Sequence, residues 1–295
     1  MKILCIGDIM LDVVAILESP INYASDTRAR ISTHGGGAAA NVATWLAHTG
    51  VPTFLIARVG DDAAGKTVQA ELDRYGVLHS HTVVPGRNTG VVIVLVDQSG
   101  ERTMFPDWGA NSGLGLEDLP DLEDITSIYL SGYPMINPAS RPGVRQIIDL
   151  AHEKNVKIVF DPASVGVLAE VGVENVRSWL SSMDVLILNE EEAHFLTGLA
   201  NPVHAAEDLL QFSEIVVIKR GAGGVLGLQR GGSIIQLPAL PTSVVDTTGA
   251  GDSFAAGFIR VWNEGGDFES ALTAGTELAA HCVSLIGARP LVAAL

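Results

Sequence analysis

Cysteine, positive charge and long apolar runs are all scarce in this sequence, and each scarcity excludes a class of protein. The 2 cysteines, Cys5 and Cys282, lie in apolar stretches, which excludes a disulfide framework and favours a reducing, cytoplasmic location. Lysine and arginine number 18 against 34 aspartates and glutamates, and the net charge of −16 argues against nucleic acid as a partner. The longest aliphatic run, residues 91–96, is far shorter than the ~20 residues of a membrane span, so no membrane partner is expected.

Glycine, in contrast, is abundant, with 32 residues in a chain of 295. At roughly 150 residues per domain, this length allows one large domain or two of ordinary size. The hydrophobic fraction of 47 % is enough to form a core that needs neither disulfides nor a structural metal.

Short apolar runs alternate with helical patterns along most of the chain. Apolar runs that do not alternate with polar residues predict strands buried on both faces, and helices between them predict parallel pairing. The sequence therefore predicts a doubly wound α/β fold with a mostly parallel sheet flanked by helices. The predicted strands are 2–6, 53–59, 127–130, 156–160, 185–188 and 215–219, and the predicted helices include 39–49, 64–75 and 144–154.

Two stretches interrupt this alternation with strands that have no helix between them. Residues 11–17 and 28–32 form one such pair, and 91–97 and 102–105 form a hairpin around a turn that contains glycine. We interpret them as a small β-sheet lid inserted at about 11–33 and 88–107 into a single core domain that spans 1–295.

A glycine-rich segment, DTTGAGDSFAAGF at 246–258, has the features of an anion site at the start of a helix. Gly249 and Gly251 allow a sharp turn and expose backbone N–H groups, and the helix dipole favours an anion there. Asp252 lies in the first predicted helical turn beside those groups. An anion hole next to a base is what phosphoryl transfer to a hydroxyl requires.

A second glycine cluster, GGGAAAN at 35–41, leads into a helix of small residues. Three consecutive glycines permit close approach of the backbone to a ligand. Asn41 offers both a donor and an acceptor to a hydroxyl group.

The segment GDDAAGKT at 60–67 fits the P-loop pattern, which provides an alternative nucleotide site with Lys66. However, Asp61 and Asp62 would place carboxylates where a P-loop binds phosphate. No aspartate at a strand end stands out as the partner that such a site uses to bind a metal. We therefore favour an ordinary turn between strand and helix.

Two of these segments resemble the ribokinase (PfkB) family of carbohydrate kinases. Residues 36–43, followed by Gly50 and Gly60, resemble the N-terminal signature of that family, and 246–258 matches its C-terminal signature. The resemblance covers essentially the whole chain. It implies an α/β core with a β-sheet lid, in which Asp252 is the catalytic base and the N–H groups of Gly249, Ala250 and Gly251 form the anion hole.

The resemblance also implies a set of binding residues. Those implied for the sugar side are Asp12, Gly37 and Asn41, and Arg102, Asp107 and Asn111 are further candidates for contacts with substrate. Arg102 is equally well explained as a solvated charge of the hairpin. Those implied for the nucleotide side are Lys219, Gly221, Gly224 and Asn189, with Asn189 and Glu192 acting indirectly on Mg²⁺. Asn189 and Glu192 also have the spacing of a helix capping box, and both roles are compatible.

The function implied by the resemblance is transfer of the γ-phosphate of ATP, with Mg²⁺, to a hydroxyl of a sugar or a nucleoside. Relatives that act on ribose carry polar residues at the positions of Met10 and Ala38, so a nucleoside such as pseudouridine is an alternative acceptor. A binding protein without catalytic activity is the alternative outside this class. Activation by K⁺ and a homodimer formed through the lid, both features of relatives, are left open.

Overall fold

The computed structural model describes residues 2–80 and 82–291, and it is built around a large twisted sheet. The strands in that part of the chain are β1 (Lys2–Ile6), β2 (Met10–Leu17), β3 (Ala29–Gly36), β4 (Thr53–Ile56), β5 (Arg58–Gly60), β6 (Leu78–His79), β7 (Thr82–Val84), β8 (Gly90–Val96), β9 (Arg102–Asp107), β10 (Ile125–Ser131), β11 (Lys157–Asp161), β12 (Val185–Asn189), β13 (Ile215–Lys219), β14 (Val225–Gln229) and β15 (Ile235–Leu237).

Helices connect most of these strands. They are α1 (Ala38–His48), α2 (Ala63–Tyr75), α3 (Tyr133–Ile136), α4 (Arg141–Glu153), α5 (Val165–Val171), α6 (Val173–Leu180), α7 (Glu190–Thr197), α8 (Pro202–Leu209), α9 (Ala250–Asn263) and α10 (Phe268–Val283). Single 3₁₀ turns occur at Leu116–Asp118 and Gly221–Gly223. None of the helices in the described ranges is long and apolar enough to cross a bilayer.

The large sheet has nine strands in the order β15-β14-β13-β12-β11-β10-β1-β4-β6. Pairing is parallel from β13 to β6, whereas β14 and β15 are added in the antiparallel direction. Successive residues of a strand point to opposite faces, so Ile3 and Cys5 join one core while Leu4 and Ile6 join the other.

Helices cover both faces of the large sheet. Helices α1, α2, α9 and α10 bury residues such as Trp45, Leu72, Phe258 and Leu272 in one core. Helices α3 to α8 bury residues such as Met135 in the opposite core. The predicted doubly wound α/β class with an additional small sheet is therefore confirmed.

The small sheet has four strands in the order β3-β2-β8-β9. Its two faces differ in character, because the register places Asp12, Val92 and Pro106 on one face and Val13, Ile93 and Phe105 on the other. Arg102 shares the Asp12 face by the same alternation and contacts the core domain from it. This face of the lid is therefore directed towards the core.

One predicted strand is divided in the structure. The sequence predicts a single strand over 53–59, but β4 ends at Ile56 and belongs to the large sheet, whereas β5 pairs in parallel with β7 in a separate two-stranded sheet. The prediction failed because a continuous apolar run does not show which neighbour each part pairs with.

The close packing of α9 on α10 yields a first prediction. A Cβ atom on Gly257 would overlap the carbonyl oxygen of Ala274, and a Cβ on Gly275 would lie 2.8 Å from the Phe254 ring. Gly257→Ala should therefore force the two helices apart and lower the free energy of unfolding by about 1–3 kcal/mol, measured by denaturant titration. Gly166→Ala in α5 is the matched control, since its Cβ would meet only Ser164 Oγ at 3.9 Å. If the two substitutions lowered the free energy of unfolding equally, close packing of α9 on α10 would not be the cause.

Candidate active site

Polar and charged side chains gather where the parallel strands end. Asp8 follows β1, Asp161 ends β11, Asn189 ends β12 and Lys219 ends β13. These strands lie in one block of the parallel sheet, and carboxyl ends of parallel strands share one edge, which is where ligands of open α/β sheets bind. Asp252, near the start of α9, lies beside this cluster, because a Cβ atom on the preceding Gly251 would stand 3.0 Å from Lys219 Nζ.

Asp252 lies in the first turn of α9 and is partly buried. The helix begins after Gly249, whose φ of +77° is accessible to glycine at little cost. Asn41 Nδ2 donates a hydrogen bond to Asp252 Oδ2 at 2.8 Å. Burial raises the pKa of Asp252 to about 7, with the Asn41 hydrogen bond opposing the shift and the charge of Asp161 adding to it. A carboxyl group with a pKa near neutrality is suited to accept a proton.

The start of α9 also has the features of an anion site. The first N–H groups of a helix have no acceptor within that helix. Of the three predicted donors, Ala250 N–H makes a long bond of 3.3 Å to Thr247 O, while Gly251 lies beside Lys219. A Cβ atom on Gly251 would stand 3.0 Å from Lys219 Nζ, so the ammonium group and the helix start lie side by side. Both attract negative charge.

Lys219 is held in place by an ion pair. Its Nζ donates to Asp161 Oδ2 at 2.7 Å, and Asp161 Oδ1 accepts from Ala163 N–H at 3.1 Å. Burial by itself lowers the pKa of Lys219, but the charges of Asp161 and Glu192 outweigh it and raise the pKa. Lys219 is therefore a fixed cation next to Asp252.

Asn189 and Glu192 form a complete capping box at the start of α7. Glu192 N–H donates to Asn189 Oδ1 at 2.8 Å, and the Glu192 carboxylate accepts from Asn189 N–H at 2.7 Å and from Asn189 Nδ2 at 2.6 Å. Burial, together with the nearby charge of Asp161, raises the pKa of Glu192. The predicted capping role is thus visible, and the indirect role towards Mg²⁺ stays a prediction.

The predicted nucleotide turn after β13 has its own structural requirements. Gly221 opens a 3₁₀ turn with φ +51°, and a Cβ atom on Gly224 would overlap the carbonyl oxygen of Leu237. Glycine is therefore needed at position 224 so that the end of β15 can pack against this turn, and this requirement holds without a bound nucleotide. Its contact with a nucleotide stays a prediction.

Asp12 projects from β2 towards the glycine cluster. A Cβ atom on Gly36 would overlap the Asp12 carboxylate, so glycine at this position leaves room for that side chain. Burial raises the pKa of Asp12 to about 6, while the positive charge of Arg289 opposes the shift. Asp12 is placed to accept hydrogen bonds from a hydroxyl group when it is ionised.

Gly37 is the N-cap of α1, with φ +94° and no room for a Cβ, which would lie 2.6 Å from the carbonyl oxygen of Asp8. Asp8 Oδ2 accepts from Ala38 N–H at 3.1 Å. The glycine cluster thus brings the start of α1, and with it Asn41, against the end of β1.

Arg102 is not a solvated hairpin charge. It donates to Asp246 Oδ1 at 2.6 Å and to Thr247 Oγ1 at 2.9 Å. Asp246 also accepts from Thr248 N–H and Gly287 N–H, at 2.7 and 3.0 Å. Arg102 therefore ties the lid to the segment that leads into the start of α9, and its predicted contact with substrate is untested.

Asp107 is the last residue of β9, and Asn111 lies in the segment that follows this strand. Asp107 is exposed and accepts from Gly109 N–H at 3.1 Å. Asn111 exchanges two hydrogen bonds with the backbone of Ile9, at 3.1 and 2.8 Å. The amide of Asn111 is thus engaged in joining two segments, and its role towards substrate stays a prediction.

The P-loop alternative has no support in the geometry of residues 60–67. The Asp62 carboxylate accepts from Gly65 N–H at 2.8 Å and from Thr89 N–H at 2.8 Å, so it occupies the place that a phosphate would take. Lys66 is exposed and lies on the outer side of α2. This segment is the ordinary strand-to-helix turn that the sequence favoured.

A cavity of about 410 Å³ opens at the end of β1, and Asp252 is not among the residues that line it. It begins at Gly7 and Asp8 and passes Asn111, and part of its wall is formed by Trp108 and Tyr133, whose ring centroids are 4.7 Å apart. Ligand pockets are typically about 300–1,000 Å³, so this space is sufficient for part of a small molecule that extends past Asp8.

Sequence reasoning missed three residues of this site. Asp161 was overlooked even though it directly follows an apolar strand, which is a usable signal. Asp8 has the same signal after β1. Arg289 could not have been found, because its contacts are with residues about 250 positions earlier in the chain, such as Asn41.

Comparison with known proteins identifies the family of this chain and agrees with its fold. The model of the pfkB family of carbohydrate kinases matches residues 1–294. An ATP-dependent ribose-1-phosphate kinase from Halopiger xanaduensis is 33% identical over 259 residues, which is 86% of this chain and 81% of the relative. This chain therefore belongs to the pfkB family of carbohydrate kinases, as its two signatures indicated.

Two solved structures show the same fold. Adenosine kinase from Sinorhizobium meliloti superposes with a TM-score of 0.90 at 24% identity, covering 99% of this chain and 96% of that one. An E. coli protein proposed to be a ribokinase II, solved in complex with ATP and Mg²⁺, superposes with a TM-score of 0.85 at 23% identity, covering 97% and 94%. The ribokinase-like arrangement of core and small sheet is thus shared.

The raised pKa of Asp252 predicts a pH-dependent effect on stability. A carboxyl whose pKa is raised by folding stabilises the fold while protonated, and this contribution is lost as the pH rises from about 4 through 7. Asp252→Asn should therefore melt about 2–5 °C above the wild type at pH 8, because Asn is never charged, and by less at pH 5. Because Asp252 is partly exposed, we expect this difference in melting temperature to be smaller than for a fully buried carboxyl group.

Differential scanning fluorimetry at the two pH values measures this difference. Asp26→Asn, at an exposed position, is the control and should show the same small change at both. A melting difference for Asp252→Asn that is independent of pH would show that the Asp252 carboxyl group does not titrate in this range.

Proposed function

We propose that this protein transfers the γ-phosphate of ATP to a hydroxyl group of a sugar or nucleoside, with Asp252 as the general base. The observation that supports it most strongly is the position of Asp252. It lies at the start of α9, hydrogen-bonded to Asn41 at 2.8 Å and next to an anion site formed by the helix start and Lys219. A base and an anion site side by side are the two parts that the transfer needs.

Asp12, Gly37 and Asn41 would form the acceptor side of the site. The Asp12 carboxylate lies against Gly36, and Gly37 is the N-cap of α1, on which Asn41 is held beside Asp252. Polar groups of this kind would bind the hydroxyls of the acceptor and direct one of them towards Asp252.

The nucleotide side would be formed by the start of α9, Lys219 and the turn at Gly221 and Gly224. Backbone N–H groups and one fixed cation are sufficient for a single triphosphate. Mg²⁺ usually keeps several waters and is bound by one or two carboxylates plus substrate phosphates. The described residues contain no group of three or more side chains arranged as a metal cage, which fits an ion held mainly by the nucleotide, with Asn189 and Glu192 acting indirectly.

The proposed step follows from this placement. The Asp252 carboxylate accepts the proton of the acceptor hydroxyl as its oxygen forms a bond to the γ-phosphorus, and the bond from that phosphorus to the β–γ bridging oxygen breaks to release ADP. The N–H groups of Gly249, Ala250 and Gly251, with Lys219, would stabilise charge on the transferred group. Mg²⁺, when bound, would neutralise the charge of the β- and γ-phosphate oxygens.

The class of acceptor is narrowed by the wall of the adjacent cavity. Met10 is buried and Ala38 has no polar side chain, so neither position offers the acceptor the polar group that ribose-specific relatives carry there. The Trp108 and Tyr133 rings next to Asp8 supply an aromatic face that suits a planar base. These features support a nucleoside, the alternative acceptor to a simple sugar. The proteins named above as similar include both an adenosine kinase and a ribose-1-phosphate kinase.

Two further features concern the surface of the small sheet and the location of the protein. The face of the lid that is directed away from the core carries exposed Ile31, Ile93 and Phe105, which would suit a homodimer formed through the lid. A cytoplasmic location accords with two buried, unpaired cysteines.

The general-base role predicts the behaviour of Asp252→Asn. An ATP-consumption screen over pentoses, hexoses, phosphosugars and nucleosides would first identify an accepted substrate. With that substrate, Asp252→Asn should lower kcat by about 10²–10⁴-fold, because the hydroxyl loses its proton acceptor. Wild-type kcat should rise about tenfold per pH unit below pH 7 and level off above it, since the pKa of Asp252 is about 7 and only the carboxylate accepts a proton.

Lys66→Ala is the matched control for this experiment, since the P-loop alternative depends on Lys66. Its kcat and its affinity for ATP should stay within about twofold of the wild-type values, as is usual for an exposed side chain away from the chemistry. If Asp252→Asn kept kcat within tenfold while Lys66→Ala abolished ATP binding, the proposed site would be wrong. Binding of a sugar or nucleoside without ATP turnover in the wild type would indicate a binding protein instead.

A further inference from the structure

Arg289 is buried at the centre of the acceptor side, although it comes from the last segment of the chain that the structure describes. Its exposure is 6%. The residues on either side of it are fixed to the first two helices, because Trp45 Nε1 donates to Ala288 O at 2.8 Å and the Tyr75 hydroxyl donates to Pro290 O at 2.7 Å. The Arg289 side chain therefore enters the site from a segment anchored on both sides.

The guanidinium group has a different partner for each of its nitrogens. Nε donates to Asn41 Oδ1 at 3.1 Å, one terminal nitrogen donates to Gly36 O at 2.8 Å, and the other lies 3.1 Å from Glu71 Oε1. A Cβ atom on Gly35 would overlap this guanidinium. The first two glycines of the cluster therefore make room for Arg289 and Asp12, which explains why the turn contains three.

The contact with Asn41 determines which way its amide faces. The two ends of an asparagine amide have similar shape but opposite hydrogen-bonding character. Because Arg289 can only donate, it holds the Asn41 carbonyl oxygen on its own side and leaves the NH₂ group facing Asp252. A rotated amide would instead place its oxygen against the Asp252 carboxylate, which repels it.

We propose that Arg289 is a positioning residue for phosphoryl transfer, which acts through Asn41 to hold the Asp252 carboxylate in place for the acceptor hydroxyl. This inference rests on the proposed role of Asp252. The same guanidinium provides the positive charge that opposes the negative charges of Asp12 and Glu71. One side chain thereby links the residue proposed to bind the acceptor and the residue proposed to take its proton.

The planar guanidinium is required for this arrangement. Its nitrogens diverge in one plane, so that two of them hydrogen-bond Asn41 and Gly36 while the third forms an ion pair with Glu71, whereas a lysine ammonium is a single point with three donors. Arg289→Lys should therefore keep the positive charge at this position but not the orientation of the Asn41 amide.

The test is a double-mutant cycle measured by steady-state kinetics on the full chain. Arg289→Gln should lower kcat about 10–100-fold while KM for ATP changes less than threefold, because the nucleotide side does not contact Arg289. In the Asn41→Ala background the same substitution should lower kcat by less than about threefold, since its effect runs through Asn41. If Arg289→Gln lowered kcat by the same factor in the Asn41→Ala background as in the wild type, the proposal would be overturned.

Two further variants separate positioning from a structural tether. Tyr75→Phe removes the hydrogen bond to Pro290 O but leaves Arg289 in place, so its kcat should stay within about twofold. An equal loss of kcat in Tyr75→Phe and Arg289→Gln would show that only anchoring of the segment matters. Should Arg289→Gln fail to fold, the pair Arg289→Gln with Glu71→Gln removes two opposite charges together and is tested in its place.

Failure of this inference is distinguishable from failure of the proposed function. If Asp252→Asn abolishes turnover while Arg289→Gln retains full kcat, only the role of Arg289 is wrong. If Asp252→Asn retains turnover, the proposed function fails, and a crystal structure of Arg289→Gln still reports on Asn41. The proposal expects the amide of Asn41 to have left Asp252 in that structure, and an unchanged amide with its hydrogen bond to Asp252 intact would overturn it.

Discussion

One hydrogen bond joins the two parts of the chain on which the proposed chemistry depends. Asn41 Nδ2 donates to Asp252 Oδ2 across 211 residues of sequence, and it thereby connects the start of α1 to the start of α9. Both helices begin at a glycine with positive φ, Gly37 and Gly249, which allows the two helix starts to approach the same strand ends. The proposed acceptor side and the proposed phosphate side of the site meet at this bond.

The excess of acidic residues in the sequence is also found around the proposed active site. Three cations near the site are paired with carboxylates: Lys219 with Asp161, Arg102 with Asp246 and Arg289 with Glu71. Carboxylates remain in excess there, and burial raises the pKa of Asp8, Asp12 and Asp252. A net charge of −16 is therefore compatible with a single bound nucleotide, because backbone N–H groups and Mg²⁺ can provide the remaining positive potential.

The fold and the glycine-rich helix start before Asp252 were predictable from sequence because their signals are local. Apolar runs of strand length predicted the parallel sheet, and the glycines before Asp252 predicted an anion site at a helix start. The division of 53–59 between two sheets and the role of Arg289 were not predictable, because they depend on which distant segments become neighbours. The reason for three glycines at 35–37 was likewise hidden, since two of them face Arg289 and Asp12.

The most direct test is a crystal structure of the protein with a non-hydrolysable ATP analogue and an accepted sugar or nucleoside. The account predicts the γ-phosphate at the N–H groups that begin α9, next to Lys219. It also predicts an acceptor hydroxyl about 3 Å from an Asp252 carboxylate oxygen, with Asn41 still donating to the other face of that group. A triphosphate bound elsewhere on the molecule, or an acceptor whose hydroxyls all point away from Asp252, would contradict it.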